Sequence, residues 1–331
     1  MSTTAPDRSP TRDVDPQPDR LRAGGWTRLR DAPGLVRALA LVTLVANGTI
    51  VVTGAAVRLT SSGLGCPTWP RCTAESFVTT AEYGVHGLIE FGNRLLATGL
   101  AVAVGLPILV IAAQRPRRRA LVWLAAFQFV GFLGQGVLGG VTVLTGLNPW
   151  VVAGHFLVST VLIYAAYALW HRAGEGDGAP EVVVTPAVRW LVRAVLAAAA
   201  VAIVLGTVVT GSGPHAGDSA AVRTGFDPAA VSRLHSGAAL LLIGLTVATL
   251  LALRATDAPR TVRRAALVLL GVELGQGAIG YVQYFTGLPV LLVGAHVLGA
   301  VLLWVAACRL LFLTRVRRHD AAAPGRITPR A

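Results

Sequence analysis

Eight long apolar runs, almost free of charge, dominate this 331-residue chain and limit what it can fold into. They lie near 35–57, 84–112, 121–143, 150–170, 190–210, 231–253, 265–285 and 290–313. A helix of about 20 apolar residues spans the ~30 Å hydrocarbon core of a bilayer, so eight spans would use about 160 residues, close to half the chain. Composition agrees: 54% of residues are apolar and mean hydropathy is +0.64. Only 14% are charged, against about 25% in soluble domains. A water-soluble globule is excluded.

Every one of the 29 basic residues is arginine, and the formal net charge is +13. Such a balance would suit a nucleic-acid partner, but the arginines are placed otherwise. They gather at Arg8 to Arg37, in RPRRR at 115–119, at Arg172, Arg189 and Arg193, from Arg254 to Arg264, and from Arg309 onward. These clusters fall on alternate sides of successive apolar runs, as cytoplasmic loops retain positive charge. With both termini cytoplasmic, the external connections 58–83, 144–149, 211–230 and 286–289 contain or border only Arg58, Arg71, Arg223 and Arg233. Arg94 stands apart, inside the second run. The charge therefore reads as membrane topology and attraction to anionic lipid, not as a nucleic-acid surface.

The chain also repeats itself. GQGVLGGVTVLTGLNPWVVAGHFLVSTVL at 134–162 parallels GQGAIGYVQYFTGLPVLLVGAHVLGAVLL at 275–303, placing Gln135 on Gln276 and His155 on His296. VVTGAAVRLTSSG at 51–63 echoes VVTGSGPHAG at 208–217. An even number of spans separates the copies, so both halves share one orientation. The expected fold is an all-α integral membrane protein whose eight transmembrane helices form two tandem, pseudo-symmetric four-helix bundles. The expected division is a disordered cytoplasmic tail over 1–34, an N-terminal half over 35–170, a flexible cytoplasmic linker over 171–189, a C-terminal half over 190–313 and a second tail over 314–331. Duplication is common in transporters too, and does not by itself choose a function.

Polar residues inside such runs are costly and carry the functional signal. His171, His215 and His319 fall in loops or a tail. His86 and His155 in the first half, and His235 and His296 in the second, lie near the starts of even-numbered spans. A lone histidine there can be satisfied by a backbone carbonyl or water. Four, in two equivalent pairs, suit axial ligation of haem iron from facing helices, and His235 with His296 is the cleaner pair. Glu90 follows His86 by four residues and shares its helix face, which Asn93 and Arg94 extend. Its roles divide between a structural ion pair to Arg94 and proton acceptance beside an oxidised substrate. Cys66 and Cys72 in GLGCPTWPRC lie on the external side, where a disulfide persists. Metal ligation would need a third soft ligand, and none lies nearby. Cys308 reads as a packed thiol. No nucleotide fingerprint, Walker motif, HExxH helix or nucleophile elbow occurs in a fitting context.

In combination, TGAAVRLTSSGLGCPTWPRC, IEFGNRLLA at 89–97, the two GQG…TGL…H segments, VVTGSGPHAGD and RLH at 233–235 make the chain similar to the heme A synthase family over about 35–313. It looks like the bacterial type, in an actinobacterial-like variant. The resemblance implies a bacterial plasma-membrane oxidoreductase that turns the C8 methyl of heme O into the formyl of heme A for cytochrome oxidase. It implies haem b as cofactor on His235 and His296, heme O in the N-terminal half with His155 as ligand, Glu90 as the catalytic carboxylate and a Cys66–Cys72 disulfide. Implied partners are heme O as substrate, membrane lipid, a heme O synthase, cytochrome oxidase assembly proteins and an electron partner. One departure matters: the family's E-x-x-H-R reads Glu90-Phe91-Gly92-Asn93-Arg94 here. Either His86, two turns earlier, ligates a shifted substrate haem, or His155 holds it alone. A haem carrier or transporter and a b-type electron-transfer subunit are the alternatives.

Overall fold

The structure is a computed structural model that describes residues 33–114 and 117–317. Each apolar run becomes a helix: α1 (Pro33–Leu59), α2 (Gly84–Ala113), α3 (Arg119–Leu144), α4 (Pro149–Ala173), α5 (Pro186–Ser212), α6 (Pro228–Ala255), α7 (Arg260–Phe285) and α8 (Val290–Phe312). All eight are long and apolar enough to cross a bilayer. Large apolar side chains such as Leu109, Trp123 and Leu291 point outward and stay exposed, as lipid-facing positions do. The chain is a multi-pass, all-α membrane protein.

Six helices start earlier than hydropathy predicts, and in three of them, α4, α5 and α6, a side-chain cap holds that end. Asn148 accepts from the Trp150 N–H, Thr185 from Val188, and Asp227 from Ala229 and Ala230. Each cap is followed by a proline, whose missing N–H is one the first turn cannot use. Of the expected tails, residues 1–32 and 318–331 lie outside the described residues.

The repeated TGL motif is a shared helix-ending turn. Thr145 and Thr286 cap α3 and α7, and their hydroxyls donate to Val141 O (2.8 Å) and Val282 O (2.7 Å). The next two residues are left-handed in both copies: Gly146 and Leu147 at φ 60° and 58°, Gly287 and Leu288 at 76° and 61°. The leucine N–H then closes the turn onto Thr142 O and Gln283 O. Glycine takes the first left-handed position without steric cost. The leucine N–H bond supports the second.

Packing follows the duplication. In the first half α1 touches α2 and α4, and α3 touches α2 and α4. In the second half α5 touches α6 and α8, and α7 touches α6 and α8. Two closed rings of four helices result. They join mainly through α1 with α8, α4 with α5, and α4 with α8. Exchanging the halves maps the first two contacts onto each other and the third onto itself, so α4 and α8 flank a pseudo-twofold axis. The Trp304 indole N–H donates to Thr160 O at 2.8 Å across this seam. On one side of the membrane Arg58 donates from Nε to His215 O (2.6 Å) and from Nη2 to Thr210 O (2.7 Å), while Gly63 N–H bonds Gly217 O. The two echoing sequences thus meet in space.

The connection between halves, expected as a flexible linker over 171–189, is helical at both its ends, to Ala173 and again from Pro186. Between them β1 (Glu181–Val182) pairs antiparallel with β2 (Arg315–Val316), which lies in the expected C-terminal tail. Arg118 holds Asp177 at 2.8 Å, and Arg317 donates to Gly178 O at 2.9 Å. The polar composition that reads as a linker instead supplies these backbone and ionic contacts.

Inside the first ring, α1, α3 and α4 are tied by amides. Asn47 Nδ2 donates to Thr43 O (2.8 Å) and Gln128 Oε1 (3.0 Å), and Gln128 Nε2 donates to Leu162 O (2.7 Å). Gln128 is fully buried, so removing it takes one of two acceptors from the Asn47 amide and the side-chain donor from the Leu162 carbonyl. Gln128→Leu is expected to destabilise the protein by about 1–3 kcal/mol, read as a fall in unfolding midpoint in detergent. An unchanged midpoint would contradict this account.

Candidate functional site

Tight packing stops at one depth in both halves. On α4 the first fully buried residue is Leu162, and on α8 it is Val301. On α2 nothing is fully buried between Glu90 and Val104, and on α6 nothing between Val231 and Leu242. His155, His296, Asn93 and His235 all lie in these loosely packed stretches. Close-packed cores rarely leave such gaps. In each half the candidate ligands therefore lie outside the tightly packed part of their helices.

In the second half, the rings of His235 and His296 lie with centroids 6.2 Å apart, at 79° to one another. Two imidazole–metal bonds of about 2.0 Å, plus about 1.1 Å from each centroid to its nitrogen, require about 6.2 Å. The pair is thus spaced to hold one metal ion between two imidazoles. His235 Nδ1 lies 2.9 Å from Ala202 O, the outer contact that orients a ligand ring and leaves Nε2 for a metal. The ring passes against Gly206, where a Cβ would stand 3.2 Å from Cε1. His296 is oriented from α7: Gln276 Nε2 donates to His296 O at 2.9 Å, and Gly280 faces the ring.

The first half repeats the second arrangement on its own helices. Gln135 Nε2 donates to His155 O at 2.9 Å, and Gly139 faces the His155 ring. The Nδ1 atoms of His155 and His296 are both buried without a hydrogen-bond partner among the described residues. His86 lies in the first turn of α2, exposed, with Nδ1 3.0 Å from Ser62 Oγ. Asn93 Oδ1 is buried and also lacks a partner.

Glu90 is 5% exposed and pinned from two sides. Cys66 N–H donates to Oε2 at 2.7 Å, and Arg94 Nη2 donates to Oε1 at 2.6 Å. The ion pair read from the sequence is present, but Arg94 does more than neutralise. It also donates to the carbonyls of Cys66, Thr68 and Arg71 at 3.0–3.2 Å. Cys66 and Cys72 form a disulfide, with Cα atoms 4.4 Å apart. The loop they close seats on the bundle through close approaches that only glycine permits: Gly65 lies on the backbone at His86, and the Trp69 indole lies on Gly140 of α3.

Sequence reasoning missed several of these residues. Gln135 and Gln276 served as alignment marks, although Gln135–Gly139 and Gln276–Gly280 share the i, i+4 spacing that puts both on one helix face. Glu273 was overlooked: it is 3% exposed within α7, and Thr246 Oγ1 donates to its Oε1 at 2.8 Å. The rule that singled out Glu90 applies to it equally. Gly206 belongs to no motif. Among the described residues no group of three or more His, Cys, Asp or Glu gathers as a metal cluster, and a bis-imidazole site requires only two.

Because one guanidinium holds three loop carbonyls as well as Glu90, Arg94→Ala is expected to loosen the 65–72 loop selectively. Amide exchange there should rise at least about tenfold, equivalent to about 1.4 kcal/mol of local opening, with little change in α5–α8. Uniform exchange throughout the protein would show that Arg94 does not anchor this loop in particular.

A family model described as cytochrome oxidase assembly protein (COX15-CtaA) matches residues 37–308. The heme A synthase of Shouchella clausii is 27% identical over 311 residues, covering 87% of this chain and 99% of the relative. The heme A synthase of Geobacillus thermodenitrificans is 32% identical over 124 residues, covering 36% of this chain and 37% of the relative. That of Bacillus pumilus is 30% identical over 129 residues, covering 38% and 41%. These last two matches span well under half of the relatives' length. The family match takes in six of the eight helices completely and most of α1 and α8, together with the disulfide loop and both histidine–glutamine arrangements. The chain belongs to the COX15-CtaA family of cytochrome oxidase assembly proteins.

Proposed function

We propose that the chain is a heme A synthase, oxidising the C8 methyl of heme O to a formyl group, with heme O in the first half and haem b as the resident cofactor of the second. One observation carries this reading. At the same depth in both halves, packing opens beside an imidazole whose backbone is held by a glutamine, yet of Glu90 and its counterpart only Glu90 is a carboxylate. Two similar sites, only one of which carries a carboxylate on the second helix of its half, suit a substrate and a cofactor of the same shape.

His235 and His296 would hold haem b, which supplies reversible one-electron transfer when bound. The Ala202 carbonyl and Gln276 fix the orientation of those rings and of the α8 backbone. His155 holds the substrate, with Gln135 bracing its helix in the same way. Glu90 faces the substrate site with lone pairs beyond those used by Cys66 and Arg94, and is placed to take a proton as the methyl is oxidised. Arg94 keeps counter-charge beside it, and the disulfide loop covers the site and limits water.

In this reading the protein lies in a bacterial plasma membrane, with both termini cytoplasmic and the disulfide loop outside. Heme O arrives from its synthase, heme A passes to cytochrome oxidase assembly, and a membrane electron partner completes the reaction. Asn93 stands where the family's E-x-x-H-R pattern has histidine, and the chain is read as an actinobacterial-like variant of the family.

Expression with a source of heme O, followed by pigment extraction and mass analysis, tests the reaction. Wild-type protein should yield the formyl product. Glu90→Gln, which keeps the side chain's shape, should lower its yield at least about 100-fold while the spectrum of the second-half haem persists. His235→Ala and His296→Ala should each abolish that spectrum. Wild-type protein that binds pigment but never alters it would leave the carrier reading standing and end this one.

A further inference from the structure

The duplication exposes a difference between the two halves that neither half shows alone. A shift of 141 carries α3 (119–144) onto α7 (260–285), and with it Gln135 onto Gln276 and Gly139 onto Gly280; the same shift carries His155 onto His296. For the second helix of each half the shift is 142. It carries the last residue of α2, Ala113, onto the last of α6, Ala255. It also carries buried Val104, Pro107 and Ile111 onto buried Thr246, Thr249 and Leu253. In this register Asn93 falls on His235, and Glu90 falls on Ser232.

We infer that the first half presents its haem with one protein ligand, His155, and that Asn93 leaves the opposite coordination position open to a small ligand beside Glu90. The second half closes both positions with imidazoles. This rests on the assignment of a haem to each half made above, and goes beyond it in assigning the two sites different coordination.

Three observations carry it. A neutral carboxamide is a weak ligand for iron where imidazole is a strong one, and it is shorter. Asn93 Oδ1 is buried with no hydrogen-bond partner among the described residues, a state that costs about 1–3 kcal/mol unless something in the site donates to it. Water or another protic ligand in the open position would do so. Third, the neighbouring difference points the same way. The half that lacks the second imidazole has a buried carboxylate one turn away, whereas the half that has it carries Ser232, whose hydroxyl turns back to Pro228 O at 2.7 Å. A closed bis-imidazole site suits electron transfer, while an open position suits binding and activation of a small molecule. His86 is a poor substitute for the missing ligand. It lies seven residues from Asn93, about 10 Å along the helix axis, and its ring is engaged by Ser62.

The test uses the full chain, purified in detergent and titrated with ferric iron protoporphyrin to two equivalents. Wild-type protein should show low-spin and high-spin ferric signals in comparable amounts. Once reduced, it should bind about one carbon monoxide per chain. His155→Ala should remove the high-spin signal and the carbon monoxide uptake but keep the low-spin signal. Asn93→His should convert the high-spin signal to low-spin and lower carbon monoxide affinity at least about tenfold. Two low-spin haems in wild-type protein, or no second equivalent bound, would overturn the inference. If His86→Ala then turned one of two low-spin haems high-spin, His86 would be the missing ligand. A distinct result, no low-spin haem dependent on His235 and His296, would instead overturn the assignment of haem sites on which the inference rests.

Discussion

In hydrocarbon, a polar group without a partner has no water to fall back on, and this protein is organised around that cost. Asn47, Gln128 and Leu162 form a closed chain of donors and acceptors, and Trp304 finds the Thr160 carbonyl across the seam. Glu90 is held from both sides. Against this background the atoms left over are informative. Of the buried side-chain atoms without a partner among the described residues, Asn93 Oδ1, His155 Nδ1 and His296 Nδ1 lie beside the loosely packed stretches, where the proposed ligands would complete the structure.

Duplication divides the work between scaffold and chemistry. What the two halves share is the means of presenting an imidazole: a glutamine on the third helix clasping the carbonyl of the histidine on the fourth, a glycine one turn on that lets the ring lie flat, and a TGL turn that sets where the fourth helix begins. The difference nearest the candidate ligands lies in a single turn of the second helix and in the loop above it. Glu90 and Arg94 bond to the disulfide loop, with Asn93 on the same turn, whereas Ser232, His235 and Ser236 occupy the corresponding turn. A few substitutions on a repeated frame are enough to make one half a different chemical environment from the other.

The number of spans, the repeat and the pairing of Gln135 with Gln276 and His155 with His296 were legible because each rests on length or spacing along one chain. The disulfide was legible from its small loop and flanking prolines. The grip of Arg94 on the carbonyls of Cys66, Thr68 and Arg71 was not, since backbone acceptors leave no mark on residue identity. The same holds for the bond of His235 to Ala202 O and for the pairing of β1 with β2, which joins segments more than a hundred residues apart. The correspondence of Asn93 with His235 has no local sequence match: RLL at 94–96 and RLH at 233–235 suggest another register. Burial of 104, 107 and 111 against 246, 249 and 253 decides it.

α4 and α8 pack against each other at the pseudo-axis, and each carries the histidine of its own half. His155 stands five residues from Thr160, and His296 eight from Trp304, the two residues joined across the seam. The two ligand-bearing helices are thus a common spindle. A shift of one along the seam would strain its packing and the Trp304–Thr160 bond, so the seam gives the two candidate sites a common mechanical reference.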